Sequence, residues 1–266
     1  MATAVLQVRD RGVAVGRVFD RGFLTIRRHP LQTLMVAFLF TGLPGTAADY
    51  ALILLPWRYM VMTVGPFSLP GFVALGIAGW FVSLLFGAVA QGAMARPVIA
   101  TSEGRKASFG EILGAALRVL LPLFMLGIIV GVGVIIGTTL LIVPGVLIYI
   151  FWSVAPSAAA SERDGVFLAL SRSQELGEGA RWKILAITLV LFAISLSLQM
   201  VGNLLAFPLA IQGAWGSAMG TFGLAIRGGF GALGNVIAGT VMASLYVELK
   251  EWKEGGSVEA LERVFV

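Results

Sequence analysis

The chain has 266 residues and a formal net charge of +5, and 58% of its residues are hydrophobic while only 12% are charged. Its mean hydropathy is +0.92. Soluble domains are about 45–50% apolar and about 25% charged, and disordered chains combine low hydrophobicity with high charge. The composition therefore excludes both classes and indicates an integral membrane protein.

The scarcity of reactive residue types excludes several kinds of chemistry. The sequence contains no cysteine, and His29 is its single histidine, so disulfides, thiol nucleophiles and multi-histidine metal sites are excluded. We therefore expect no metal and no cofactor. For a soluble protein, a net charge of +5 would suggest a nucleic-acid partner. In a membrane protein the positions of the basic residues matter more than their sum, and we expect no nucleic-acid partner.

Residues 1–30 are predicted to form a cytoplasmic arm. No apolar core precedes its first charges, so we expect the first apolar run to act as an uncleaved anchor rather than a signal peptide. The arm contains an amphipathic stretch, which predicts a helix in the headgroup plane with its apolar face toward lipid. That face comprises Val15, Val18, Phe19, Gly22, Phe23 and Ile26. His29 before Pro30 is typical of a helix start.

Six apolar runs follow, and each is long enough to cross a bilayer, since about 20 helical residues span the hydrocarbon core of about 30 Å. The predicted spans are residues 31–54, 72–95, 119–141, 144–160, 184–206 and 230–248. Pro144-Gly145 is expected to separate the third span from the fourth, and Phe207-Pro208 to end the fifth. The conformation of residues 207–229 stays open. Unbroken runs of this length are not typical of β-barrels. We predict an all-α six-helix bundle, with a transmembrane domain of residues 31–250 and a cytoplasmic tail of residues 251–266.

The distribution of basic residues predicts the orientation. All but Arg58 and Arg227 of the 19 basic residues lie in the arm, the second-to-third connection, the fourth-to-fifth connection or the tail. Lys and Arg favour the cytoplasmic side, so both termini are predicted to be cytoplasmic, as an even number of spans also requires. We expect a multi-pass protein of the bacterial inner membrane.

The chain also shows an internal repeat. Amphipathic stretches precede the third and fifth spans as well as the first. Before the third span, one helical face comprises Phe109, Ile112, Leu113, Ala116, Leu117 and Leu120. Before the fifth span the pattern is weaker, and the face comprises Val166, Ala169, Leu170, Ser173 and Leu176. The second and fourth spans end in the pattern P-x-x-A-x-S-E, which begins at Pro97 and at Pro156. The sequence predicts three copies of an interfacial helix followed by two spans, although the third copy lacks the pattern. Such repeats are common in transporters but also occur in membrane proteins that transport nothing.

The predicted cytoplasmic connections hold the polar residues that could form a site. The candidate cluster comprises Glu103, Glu162, Arg172, Ser173 and Glu175. Arg172 could pair with Glu175, three residues further along a helix, or with Glu162 at the end of the fourth span. The cluster could bind a headgroup or a substrate, or it could fasten the amphipathic helix to the bundle. We favour the structural role.

Asp49 is the candidate acid on the opposite side. We place it near the outer end of the first span, and an ionisable group at membrane depth is a functional hypothesis by default. Water can reach this position, however, and Arg58 or Arg227 could pair with Asp49. A proton or ion role for it is the less favoured interpretation.

The 34 glycines allow two interpretations, close helix packing or a pore. Gly127-x-x-x-Gly131 and Gly133-x-x-x-Gly137 have the small-residue spacing that lets helices approach closely. We favour packing. Neutral polar residues in the spans, such as Gln91 and Asn235, are expected to join helices by hydrogen bonds.

Residues 144–182 contain a span that ends near a proline, followed by a glutamate, a Gly-x-x-x-Ala-Leu-Ser-Arg-Ser-x-x-Leu-x-x-Gly run and an aromatic residue. The positions are Pro156, Glu162, Gly165, Ala169, Leu170, Ser171, Arg172, Ser173, Leu176, Gly179 and Trp182. This pattern resembles that of a large bacterial group, the polytopic proteins similar to the membrane domain of glycerophosphodiester phosphodiesterases, and the six-span layout extends the resemblance over most of the chain. The resemblance does not imply phosphodiesterase activity, because six spans and short connections leave no room for the soluble catalytic domain.

Three functional classes follow from these features. The first is a non-enzymatic accessory or scaffold protein whose cytoplasmic face binds anionic lipid or another membrane protein. The second is a transporter or lipid translocator that uses the repeat and the glycines as moving parts. The third, an intramembrane enzyme, is disfavoured because no acid–base pair falls at membrane depth and no hydrolase, zinc-protease or phosphate-loop motif is present.

Overall fold

A computed structural model describes residues 13–47, 69–102, 104, 108–162, 165–212 and 218–254. These residues are helical, with short turns and no strand among them. The helices are α1 (Val15–Arg28), α2 (Pro30–Ala37), α3 (Leu69–Ser102), α4 (Phe109–Arg118), α5 (Leu120–Leu140), α6 (Ile142–Trp152), α7 (Ala155–Glu162), α8 (Val166–Gly177), α9 (Arg181–Gln212) and α10 (Ala218–Glu254). Two predicted site residues, Asp49 and Glu103, lie outside the described residues.

Four helical stretches within the described ranges are long and apolar enough to cross a membrane. They are Leu120–Leu140, Val143–Glu162, Arg181–Leu209 and Gly220–Glu254. The chain is therefore a membrane protein with several apolar helices. The six-span count and the three-fold repeat stay predictions.

Helix α10 lies at the centre of the bundle and contacts α9, α3 and α1. Its side chains Val241, Leu245 and Leu249 are fully buried. Helix α9, by contrast, exposes large apolar side chains such as Phe192 and Leu204. Because lipid chains solvate apolar side chains, an outward apolar face of this kind is what a membrane span requires.

Two predicted breaks fall at other places in the structure. The chain turns at Leu141, which has an extended conformation, and Pro144 lies in the first turn of α6. Pro is tolerated there because the first backbone N–H groups of a helix have no intrahelical partner. The prediction that Phe207-Pro208 ends the fifth span is wrong, since α9 continues through Pro208 to Gln212. The surroundings of a membrane helix can satisfy the groups that a proline frees.

All three amphipathic stretches form helices, α1, α4 and α8, but their apolar faces do not all point to lipid. Ala169, Ser173 and Leu176 of α8 are buried in the bundle, whereas Phe167 and Leu168 are exposed. In α1, Val18 is likewise fully buried. The predicted apolar faces of α1 and α8 therefore pack mainly against protein, because α10 offers an apolar surface to α1 and α7 offers one to α8.

Glycines allow several helices to approach closely, as the packing interpretation predicts. A Cβ atom on Gly22 of α1 would lie 2.9 Å from Val241 of α10, and one on Gly133 of α5 would lie 2.8 Å from the Trp152 ring. At the α5–α6 turn, a Cβ atom on Gly137 would lie 2.9 Å from the backbone of Gly145. Larger side chains at these positions would separate the helices.

Candidate functional site at the charged end

Ion pairs concentrate at one end of the bundle, which we call the charged end. It comprises the ends of α3, α7 and α10, together with α1, α8 and the beginning of α9. Arg28 of α1 donates to the carbonyl of Thr101 at the end of α3 (3.4 Å). Arg172 of α8 pairs with Glu254 at the end of α10. These contacts bring segments together that are far apart in the sequence.

Glu162, the last residue of α7, is the centre of the first cluster. Its carboxylate accepts hydrogen bonds from the Tyr246 hydroxyl at 2.7 Å and from Lys250 Nζ at 2.7 Å. Arg172 Nε donates to its second oxygen at 3.3 Å. The side chain of Glu162 is only 17% exposed. Three donors from two other helices compensate its charge. Charge-assisted hydrogen bonds of this kind are stronger than neutral ones.

Arg172 joins three carboxylates at once. Besides Glu162, it contacts Glu175 at 3.1 Å and Glu254. Both pairings that the sequence left open are therefore formed. Partial burial of the guanidinium disfavours its charge, but the hydrogen bond to Glu175 and the charge of Glu162 outweigh this effect and raise the pKa of Arg172. Arg172 thus stays charged and fastens α8 to α7 and α10.

A second cluster, which sequence reasoning missed, forms around Glu248 of α10. Arg17 of α1 approaches its carboxylate to 2.6 Å, and the backbone N–H of Ala14 donates to it at 3.4 Å. Arg21 reaches Glu248 at 3.9 Å and pairs with Glu251 at 3.0 Å. The Glu248 side chain is only 5% exposed, so this cluster fixes α1 onto the end of α10.

The structure changes the membership of the predicted cluster. Glu162, Arg172 and Glu175 lie together, but the hydroxyl of Ser173 donates to the carbonyl of Phe151 at 2.8 Å and takes no part in the ion pairs. Tyr246, Lys250 and Glu254 were missed. Their spacing of four residues places them on one face of α10, and this was the signal available in the sequence.

The two P-x-x-A-x-S-E segments pack against each other, since α3 contacts α7. Pro97 lies inside α3 and Pro156 in the first turn of α7, and both are buried. In both copies the serine hydroxyl donates to the carbonyl three residues earlier, from Ser102 to Ile99 (2.7 Å) and from Ser161 to Ala158 (3.2 Å). Their alanines share one buried cluster. The described part of the pattern thus serves helix packing.

Exposed basic and apolar side chains alternate around the charged end, in a set that we call the basic–apolar rim. It consists of Arg27, Arg118 and Lys183, each close in sequence to an exposed apolar residue, respectively Leu24, Leu117 and Trp182. Trp182 is 83% exposed. The three basic residues form no ion pair with any described residue. Such pairs of side chains are typical of the membrane interface, where the ring or stem lies in lipid and the charge meets headgroups.

A cavity of about 540 Å³ lies within the bundle, between α3, α5, α6, α9 and α10. Its walls are mostly apolar, with neutral polar groups from Trp152, Thr188 and Asn235 among them. Gln91, at its edge, donates to the Ser153 carbonyl at 2.7 Å and so links α3 to the α6–α7 junction, as predicted. Asn235 instead donates to Gly231 of its own helix at 3.0 Å.

Within the described part of the chain, no group of three or more His, Asp or Glu side chains is placed so that it could hold a metal ion. The buried acids there are already neutralised by arginine and lysine. Phosphoryl or acyl chemistry would need a nucleophile and a base within hydrogen-bond reach. The ion pairs at the charged end join helices instead.

These features define a helical integral membrane protein with a charged end and an internal cavity. Residues 68–215, more than half of the chain, match UPF0259, which is described as an uncharacterised protein family. The chain therefore belongs to the UPF0259 membrane protein family.

Named relatives are also bacterial membrane proteins. A UPF0259 membrane protein of Serratia proteamaculans is 33% identical over 48% of this chain and 51% of its own length. Those of Pectobacterium carotovorum and Yersinia pestis are 30% and 32% identical and share 42% and 38% of their lengths with it. The chain thus spans about half or less of the length of these relatives. No solved structure matches it.

Proposed function

We propose that this protein is a non-enzymatic accessory protein of the bacterial inner membrane whose charged end faces the cytoplasm and binds anionic lipid. The observation that carries the proposal is the basic–apolar rim. Its three basic residues are exposed, and neither the Glu162 nor the Glu248 cluster neutralises them, so they are free to meet lipid phosphates. The positions of the remaining basic residues in the sequence support the cytoplasmic orientation.

The chemistry of the rim explains why the ligand would be anionic lipid. A basic side chain near an anionic membrane surface contributes about 1 kcal/mol, and a neighbouring aromatic or aliphatic side chain adds burial in the acyl region. Arg27 lies on α1, which the ion pairs of the Glu248 cluster hold in place, and Lys183 lies near the beginning of α9, which packs along α10. Binding then requires little ordering.

The test is retention of defined lipids by the protein in nanodiscs, measured by native mass spectrometry. The variant with Arg27→Gln, Arg118→Gln and Lys183→Gln should bind phosphatidylglycerol or cardiolipin about fivefold less tightly per substituted residue, since ~1 kcal/mol corresponds to about that factor. Retention of phosphatidylcholine should not change. The matched control is Arg227→Gln, an exposed basic residue far from the charged end of α10. Equal retention by the triple variant and the wild type would contradict the proposal.

Native-membrane extraction into polymer discs tests the other form of the accessory role. A membrane protein that co-purifies in fixed stoichiometry would indicate that the charged end serves a protein partner instead of lipid. Enrichment of anionic lipid without such a protein supports the proposal as stated.

Lipid translocation or other transport is the second candidate function, and the internal cavity is the observation that favours it. A translocator needs a path for its cargo inside the bundle, and the cavity provides a volume between helices that glycines bring close together. Purified protein in liposomes should then accelerate the exchange of a fluorescent phospholipid between leaflets. A rate equal to that of protein-free liposomes would exclude this function.

The similarity of residues 144–182 to the membrane domain of glycerophosphodiester phosphodiesterases is likewise a proposal. It concerns a shared six-span membrane architecture and carries no activity to this chain.

A further inference from the structure

The internal cavity contains two buried hydrogen-bond donors that have no partner. The Nε1 atom of Trp152 and the hydroxyl of Thr188 are both buried, and neither forms a hydrogen bond with any residue that the structure describes. Both residues line the same cavity. A buried polar group without a partner costs roughly 1–3 kcal/mol, and helices at membrane depth cannot rely on bulk water to satisfy it. An acceptor held in this cavity would satisfy both groups.

The lining of the cavity restricts what that acceptor can be. No described lining residue is Asp, Glu, Lys, Arg or His, so a charged ligand would have no counter-ion and would pay a large desolvation cost. The indole N–H is only a donor, and the threonine hydroxyl donates readily to a carbonyl oxygen. The other lining residues are mostly apolar, with the neutral polar side chains of Gln91, Thr138, Tyr149, Ser153, Ser195 and Asn235 among them. The cavity thus fits an uncharged, lipophilic molecule that carries a carbonyl oxygen, and its volume lies within the usual range of ligand pockets, about 300–1,000 Å³.

The cavity opens toward the lipid-facing side of the bundle. Val146 of α6 and Leu189 and Phe192 of α9 line it and are also exposed, Phe192 by 65%. Helix α9 packs mainly against α10 and makes few contacts with α6. An entry between α6 and α9 would therefore admit a molecule dissolved in the bilayer.

The depth of the donors argues against a lipid with a charged headgroup. Thr188 lies seven residues after Arg181, where α9 begins, and a helix rises about 1.5 Å per residue. The hydroxyl is thus about 10 Å along α9 from the charged end, inside a hydrocarbon core about 30 Å thick. A headgroup held at this depth would lose its hydration without a polar partner.

We propose that this cavity is a binding site for a headgroup-free lipophilic carbonyl compound, which enters from the bilayer between α6 and α9 and accepts hydrogen bonds from Trp152 and Thr188. Two sources have this chemistry, the ester carbonyl of a diacylglycerol and the ring carbonyl of a membrane quinone. The inference does not rest on the proposed binding of anionic lipid at the charged end, because it concerns other residues and an uncharged ligand.

The test is photo-crosslinking of the full chain in nanodiscs with a diacylglycerol that carries a diazirine in one acyl chain. Adducts, mapped by mass spectrometry, should fall on cavity-lining residues of α6 and α9. Thr188→Val keeps the shape and removes the hydroxyl, and Trp152→Phe removes the N–H. Each should reduce cavity labelling about fivefold, the effect expected for one hydrogen bond of about 1 kcal/mol. The control is Thr41→Val; the Thr41 hydroxyl donates to the carbonyl of Ala37, one turn earlier in the chain, at 2.7 Å, and Thr41 does not line the cavity.

Competition distinguishes the two sources. If decylubiquinone displaces the probe at a lower concentration than unlabelled diacylglycerol does, the ligand is assigned as a quinone. The reverse order assigns it as a diacylglycerol ester. Thr188→Val should not unfold the protein, because it removes a hydroxyl that has no partner. The proposal is overturned if adducts fall only on outward faces, if Thr188→Val and Thr41→Val are labelled alike, or if a phosphatidylcholine with the same diazirine labels the cavity equally well.

Discussion

Glu162 and Glu248 show how single acids can serve as structural centres at the end of a membrane bundle. Glu162 receives donors from α8, which follows it closely in the sequence, and from the distant α10, while Glu248 receives its donors from the distant α1. Removing one member of such a cluster leaves the remaining charged groups buried without a partner. The resulting loss of stability exceeds the stability that an exposed ion pair contributes.

We expect Glu162→Gln to destabilise the protein by about 1–3 kcal/mol, because the neutral amide leaves Lys250 and Arg172 without their shared charge. Glu175→Gln is the matched control. Glu175 pairs with the same arginine, but its side chain is 65% exposed, so the change should cost less than about 1 kcal/mol. Thermal unfolding of both variants in one detergent, followed by size-exclusion chromatography, measures the difference. Equal unfolding temperatures would show that the Glu162 contacts add nothing to stability.

At the scale of helices, α1 depends on a glycine as well as on its ion pairs. Gly22 is buried against Val241, whereas Gly16, on the same helix, has no atom near the position of a Cβ. The two arginines that hold α1 to Glu248 can reach it only if the helices remain this close. Packing and electrostatics therefore act together in attaching the arm.

Gly22→Leu should destabilise the attachment of α1 by about 1–3 kcal/mol, the usual cost of overpacking. Gly16→Leu should be neutral or should stabilise the helix by up to about 1 kcal/mol, because leucine favours helix more than glycine does. Trypsin provides a direct measurement, since detachment of α1 exposes Arg17 and Arg21 to cleavage. Faster cleavage in the Gly16 variant than in the Gly22 variant would contradict the role assigned to this contact.

The sequence predicted these helices better than it predicted what they contact. The amphipathic pattern of α8 located its helix correctly, but the pattern cannot distinguish burial against lipid from burial against α7 and α10. Likewise, the Arg172 pairs within reach of local sequence were predicted, while Tyr246 and Lys250 were missed. Their distance from Glu162 along the chain, 84 and 88 residues, is bridged only by the fold.

At the scale of the whole molecule, the orientation of the bundle is open to direct measurement because the chain contains no native cysteine. Ser171 on α8 and Thr139 at the end of α5 are both exposed. With the charged end inside, a membrane-impermeant maleimide added to spheroplasts should label Thr139→Cys but not Ser171→Cys. A permeant maleimide should label both variants, which controls for reactivity. Labelling of Ser171→Cys from outside would reverse the proposed topology.

The sequence by itself determined the membrane class, the helical architecture and the position of most described helices, because these depend on composition and on local apolar periodicity. It also placed most of its charges at the ends of apolar runs. Only the tertiary structure decided that α10 is central, that Glu248 is a buried centre and that Trp152 and Thr188 share a cavity. The physical reason is that, in a membrane, lipid and protein solvate apolar side chains about equally well. Hydrophobicity therefore locates the helices, whereas packing, hydrogen bonds and ion pairs decide which helices contact each other.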